Sequence, residues 1–184
     1  MPEEAALEQT DSGLKPAGEG WFVLNVAEAA WMVHDAFGSG TVFESREFPF
    51  TEFGINISVM QPGQPLCLYH GENAQEDFLV LAGECVLLVE GEERPLKAWD
   101  FIHSPPWTEH VIVGAGDGPS IVLAVGTRPK PEDDKLLYPK SELAERYGAS
   151  ATEETPDPRE AYARFERPRP GRPEYWDELP WASA

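Results

Sequence analysis

The stretch that decides this chain reads His70-Gly71-Glu72-Asn73-Ala74-Gln75-Glu76, followed at once by Asp77-Phe78-Leu79-Val80-Leu81-Ala82-Gly83. His70 and Glu72 stand two apart at the end of an apolar, strand-like run, and the two-residue period of a strand sends both side chains to one face. Glu76 opens the next strand. A turn back through Asn73 to Gln75 places it on the same interior face. His110 begins the run HVIVG some 34 residues after Glu76, just past the tight turn PPWTE, and a closed barrel can bring that strand end against the other two. Imidazole nitrogens and carboxylate oxygens together suit divalent first-row metals. Burying them among Phe78, Val80, Leu88 and Ile112 is costly unless a cation neutralises them.

Outward from that stretch, residues 21–128 form a series of short β-branched and aromatic runs separated by Gly and Pro signals, from WFVLNV through TVFESR, FGINISVM, PLCLYH, DFLVLA, CVLLVE, RPLKAW, DFIHS and HVIVG to SIVLAVG. That spacing predicts an all-β sandwich or barrel, with a turn or two of helix over residues 27–34. Residues 1–20 are polar and rich in Gly, Glu and Pro, and read as a flexible lead-in. Residues 129–184 change character. Ser141 can cap a helix over ELAERYG, ended by Gly148, and a second short helix is expected over REAYARF. The Pro-rich tail carries Tyr175, Trp176 and Trp181, too much aromatic surface for a linker. It packs either as a strap on its own barrel or as an arm on a second subunit.

Composition narrows the function. The net charge of -19 repels phosphate backbones and anionic membranes, so nucleic-acid binding is not expected. The N-terminus lacks the basic and apolar regions of a signal peptide, and no apolar run approaches the ~20 residues of a membrane span. Cys67 and Cys85 lie in apolar runs and build no disulfide framework. Together these features predict a cytoplasmic protein.

The constellation resembles the two motifs of the cupin superfamily, G(x)5HxH(x)3,4E(x)6G and G(x)5PxG(x)2H(x)3N. His70 fills the first histidine place, Glu72 the second, Glu76 the glutamate place, and Gly83 follows with six residues between. His110 fills the histidine of the second motif, with Pro105 five residues before it, and Trp99-Asp100 stands where the family usually shows Gly-Asp. The departures are Glu72 for histidine, Gly63 one place early, Trp107 for the turn glycine and Gly114 for asparagine. The resemblance implies a double-stranded β-helix (jelly-roll) barrel, here with short C-terminal helices and a Pro/aromatic-rich tail, a metal inside it and a homodimer.

The metal expected is one divalent transition ion held by His70, Glu72, Glu76 and His110; Fe, Mn, Ni and Zn all fit. Without Glu72 the other three form a two-histidine, one-carboxylate facial set. His103 shares the parity of Phe101; pointing into the barrel it is a candidate catalytic acid or base, and the competing reading is a surface or core histidine. Cys67 and Tyr69, of opposite parity to His70, are expected to face away from the metal. Gly114 to Gly118 reads as a hairpin turn, His34 as structural, and Trp107 as leaning over the cavity. The functional expectation is a metal-dependent enzyme on a small, weakly charged organic molecule, with oxygenase chemistry ahead of isomerase or lyase chemistry. A non-catalytic, ligand-binding or sensor cupin is the alternative.

Overall fold

The computed structural model describes residue 1 and residues 3–182. Fourteen strands carry most of the regular structure: β1 (Leu7–Thr10), β2 (Gly13–Pro16), β3 (Ala30–Val33), β4 (Ser39–Val42), β5 (Phe53–Met60), β6 (Gly71–Glu72), β7 (Glu76–Ala82), β8 (Glu84–Val89), β9 (Glu92–Lys97), β10 (Phe101–Ser104), β11 (His110–Ala115), β12 (Ser120–Thr127), β13 (Leu136–Leu137) and β14 (Arg169–Pro170). One sheet runs β10-β7-β12-β5-β4-β3-β14 and the facing one β11-β8-β9, all antiparallel. Isolated bridges from Pro65 to Val113 and from His70 to His110 extend the second sheet. This is the jelly-roll that the resemblance implies.

Alternation decides what each sheet buries. Met60, Phe78, Val80, Cys85, Leu87, Ile102, Ile112 and Val122 form the core between the sheets. Leu88, Val111 and Val113 point the other way and are covered by helix α1 (Glu142–Glu145), through Leu143 and Ala144. Both faces of β11 are thus buried, so HVIVG is apolar throughout rather than alternating. Leu88 accordingly lies on the outer side, not beside the histidines.

The turns follow their residues. Glu90 and Gly91, with φ of 49° and 78°, make the two-residue connection between β8 and β9, the twist-matched hairpin that needs positive φ at both places. Gly83 has φ of 75°, and a Cβ there would lie 2.7 Å from the Pro119 carbonyl oxygen; this is why the first motif closes on glycine. Trp99 and Trp107 adopt φ of 77° and 70°, the left-handed region, where the resemblance places glycine. Trp107 is 50% exposed and does not line the cavity; its backbone N–H donates to the Glu72 carbonyl at 2.6 Å. A side chain in that region costs roughly 1–2 kcal/mol, part of which glycine returns as lost unfolded-state restriction. Trp107→Gly is therefore expected to stabilise the protein by up to about 1 kcal/mol in urea unfolding. A destabilisation of similar size would show that the ring is held by a contact.

Several expectations need correction. Within the expected flexible lead-in, residues 7–16 form the hairpin β1–β2, with β2 docked to residues 28–29 by the Leu14 N–H to Glu28 carbonyl bond of 2.7 Å. The helix over 27–34 is a turn leading into β3, and WFVLNV contributes one bridge, at Trp21. PLCLYH is irregular between its two bridges. The turn after Gly114 carries the chain from one sheet to the other, since β11 and β12 do not pair.

The C-terminal helices occur where expected. The Ser141 hydroxyl accepts the Ala144 N–H at 3.2 Å to cap α1, and the Asp157 carboxylate accepts the Arg159 N–H at 2.8 Å to cap α2 (Pro158–Ala161). The segment wraps from the outer face of the second sheet across one end of the barrel. It then pairs as β14 with β3, and lays Leu179, Trp176 and Trp181 against Trp31, Val59 and Ile121 on the outer face of the first sheet.

Candidate metal centre

His70 and His110 converge because their backbones are paired. Each N–H donates to the other's carbonyl, at 3.2 and 2.8 Å, and such a directly opposed pair sends both side chains to the same face. Glu76 reaches them from the facing sheet, at the start of β7, between Ser104 of β10 and Gly126 of β12. Its Oε2 lies 3.2 Å from His110 Nε2 and 3.6 Å from His70 Nε2. The donor atoms of all three residues fall within 4.8 Å of one another.

Each imidazole is oriented the same way. His70 Nδ1 contacts the Leu68 carbonyl and His110 Nδ1 the Thr108 carbonyl, both at 2.9 Å; Nδ1–H donates there and Nε2 is left as the lone-pair nitrogen. Glu76 Oε2 and His110 Nε2 are buried and make no hydrogen bond. Unpaired buried polar atoms are expensive, and two of them aimed at one point ask for a cation. Donors each about 2.0–2.2 Å from one ion stand roughly 3.0–3.5 Å apart, close to the separations observed. The residues present therefore fit a divalent metal.

The three groups are also coupled electrostatically. Burial opposes ionisation of Glu76, yet the two imidazoles overcome it and hold its carboxyl down at about 2. Burial likewise opposes a charged His70, and the neighbouring Cys67 and Glu76 outweigh it, raising that imidazole well above its ordinary range. Glu72 is pushed up, first by burial and then by the charge of Glu76, while His70 and His110 pull the other way. It lies within electrostatic reach of the centre but outside the three-residue cluster.

His103 is not brought to the centre. On β10 the buried positions are Ile102 and Ser104, whereas Phe101 and His103 face outward. His103 Nδ1 lies 2.6 Å from Asp77 Oδ1 on the outer face of the sheet. His103 shares the parity of Phe101, and Phe101 is itself 66% exposed, so both lie on the outer face. Cys67 is the opposite correction. Its segment is not a strand, so parity fails, and its Sγ sits 3.7 Å from His70 Nδ1.

Two tyrosines escaped the sequence reading. Tyr138 stacks at 5.8 Å from His70. The Tyr162 hydroxyl accepts the Leu68 N–H at 3.0 Å, and the carbonyl of that same Leu68 receives His70 Nδ1–H, so the C-terminal segment steadies a centre residue through one peptide unit. REAYARF held only the signal of a helix, with nothing to say what it packs on.

The centre opens on a cavity of about 320 Å³ whose other walls include Thr41, Asn56, Ser58, Phe78 and Ile112. A jelly-roll barrel with two imidazoles and a carboxylate gathered inside it defines the class of protein. Residues 56–126 match the cupin domain family, and the fold is that of cupin structures. Its structure is similar to that of a sugar phosphate isomerase of that superfamily from Silicibacter pomeroyi (TM-score 0.56, 20% identity, 66% of this chain and 88% of the other). It is also similar to a polyketide cyclase from Streptomyces resistomycificus (TM-score 0.52, 13% identity, 59% and 80%) and to an RmlC-like cupin from Shewanella frigidimarina (TM-score 0.50, 15% identity, 59% and 92%). At these identities the likeness is one of fold. No curated protein matches the chain significantly. No helix among the described residues is long and apolar enough to cross a membrane.

Proposed function

We propose that this cupin is a metal-dependent enzyme acting on a small organic molecule, with His70, Glu76 and His110 holding one divalent transition metal and Glu72 completing the set. The observation that carries the reading is the buried, hydrogen-bond-free pair Glu76 Oε2 and His110 Nε2 beside a cavity. A metal there supplies Lewis-acid polarisation or oxygen activation. The chain's own residues orient the two imidazoles through Leu68 and Thr108, exclude water with Phe78 and Ile112, and offer polar contacts on the far wall. The Ser58 hydroxyl donates to Asn56 Oδ1 at 3.1 Å, which leaves the Asn56 amide hydrogens for a ligand.

Oxygenase chemistry is preferred over isomerase or lyase chemistry for a reason of wall chemistry. Sugar isomerisation and elimination need groups that remove and return protons, and among the described residues the cavity is lined by no titratable side chain other than Cys67, His70, Glu76 and His110. The same bareness supports a non-catalytic ligand-binding cupin as the second reading.

The test is metal analysis of the purified protein, anaerobic reconstitution with iron, manganese, nickel or zinc, and oxygen-consumption assays over a small-molecule panel. About one metal per chain is expected, lost in His70→Ala and His110→Ala and weakened in Glu72→Gln, with turnover in the iron or manganese form. A reconstituted protein that binds metal and ligand without turnover supports the binding module. Failure to take up any transition metal overturns the metal-dependent reading.

A further inference from the structure

Beyond the metal cavity lies a larger one, about 700 Å³, between the β3–β4 hairpin and residues 158–168 of the C-terminal segment. The two cavities share Met32, Gly38, Gly40, Leu66 and Cys67 as walls, so they adjoin, and we call the outer one the vestibule. Its volume is that of an ordinary small-molecule site, roughly 300–1,000 Å³.

The vestibule is aromatic. Phe37 is its floor, with ring centroids 4.8 Å from His34, 4.8 Å from Phe165 and 5.4 Å from Tyr162. Phe37 is buried and the other three are half-buried; the Arg164 guanidinium lies 4.7 Å over one face of Phe165, so a guest meets the remaining exposed ring surface. Edge and face contacts among rings favour a further planar ring over an alkyl chain. Arg159, Glu166 and Arg167 also line it, two cations to one carboxylate, and neither arginine forms an ion pair among the described residues, although the chain carries 33 acidic residues against 14 basic ones. Two unpaired guanidiniums at the mouth of a strongly acidic protein are suited to an anionic group. The absence of Arg and Lys between Arg46 and Arg94 keeps cations off the inner strands; they arrive from the C-terminal segment instead.

We infer that the C-terminal segment builds a second subsite, which takes an aromatic compound bearing an anionic substituent, ring against Phe37 and Phe165 and anion toward Arg159 and Arg167, with the remainder of the molecule reaching the inner cavity. The inference rests on the metal-enzyme reading for its chemistry but not for its binding, because none of these residues belongs to the metal centre.

The probe is 2-naphthoate, with the uncharged 2-naphthamide as comparison, titrated calorimetrically into metal-free and metal-loaded full-length protein. Both forms are expected to bind naphthoate about fivefold or more tighter than naphthamide. Phe165→Leu, which keeps the bulk and removes the ring, weakens both probes by about tenfold. Arg159→Gln/Arg167→Gln, exposed and harmless to folding, removes the preference for the anion and leaves naphthamide affinity unchanged. Trp99→Gly, which deletes an exposed ring elsewhere, changes neither. Absence of binding at millimolar probe, equal affinity for the two probes, or indifference to Phe165→Leu would overturn the subsite. Binding that behaves as expected in a protein unable to take up metal leaves the subsite standing and removes the metal reading alone.

Discussion

Glutamine at position 76 is expected to abolish metal retention while leaving the barrel folded. The carboxylate is the one anion in the three-residue cluster, Oε2 is buried without a hydrogen bond, and its neighbours are the two Nε2 atoms at 3.2 and 3.6 Å. Glutamine keeps the shape and loses the charge. Removing one member of a buried charge set costs roughly 3–5 kcal/mol, which at about 1.4 kcal/mol per decade predicts at least a hundredfold weaker metal binding. The measurement is calorimetric titration with zinc and iron(II), with metal content of the purified variant beside it. A glutamine variant that keeps one metal per chain at near wild-type affinity would falsify the assignment of Glu76. The metal-free fold is expected to tolerate the change, since Phe78, Val80 and Ile112 pack independently of it.

Trp31→Ala is expected to be the most damaging single truncation. Its side chain is fully buried, its Nε1–H donates to the Val26 carbonyl at 3.1 Å, and its ring meets Trp176 at 5.4 Å and Trp181 at 5.7 Å. Aromatic-to-alanine changes in cores cost about 3–5 kcal/mol, and here the loss also frees the tail, which is otherwise held by Leu179 and by the Tyr175 hydroxyl donating to the Val59 carbonyl at 3.2 Å. Denaturant unfolding should show that loss, and limited proteolysis should cut the variant within residues 172–182 under conditions that leave the native chain whole. A loss below about 1 kcal/mol with an uncut tail would mean that the aromatic cluster contributes little. Because β14 pairs with β3 beside Trp31, the same variant should also loosen the vestibule and weaken naphthoate binding.

The barrel was legible because its pattern is local. Runs such as FGINISVM and CVLLVE carry their strand period within themselves, and Gly83 and Glu90-Gly91 mark turns that backbone geometry requires. The order His70, Glu76, His110 was legible for a related reason: strand starts and ends locate side chains on a face once the strands are known. Parity misled where its premise failed. Cys67 lies in an irregular segment, so counting by two said nothing about its direction, and His103 lies on a true strand whose buried face is set by what packs on it.

Composition, strand periodicity and the spacing of three candidate ligand residues are thus properties the amino-acid sequence determines by itself, because each depends on neighbours a few residues away or on a motif whose geometry is repeated. The distance from Glu72 to the centre, the outward turn of His103, the Tyr162–Leu68–His70 relay and the aromatic vestibule were decided only in the tertiary structure. The vestibule rings and the Tyr162–Leu68–His70 contact join segments far apart in the chain, up to 131 positions between His34 and Phe165, and what brings them together is the packing of a C-terminal segment whose sequence announces that it must bury its rings but not where.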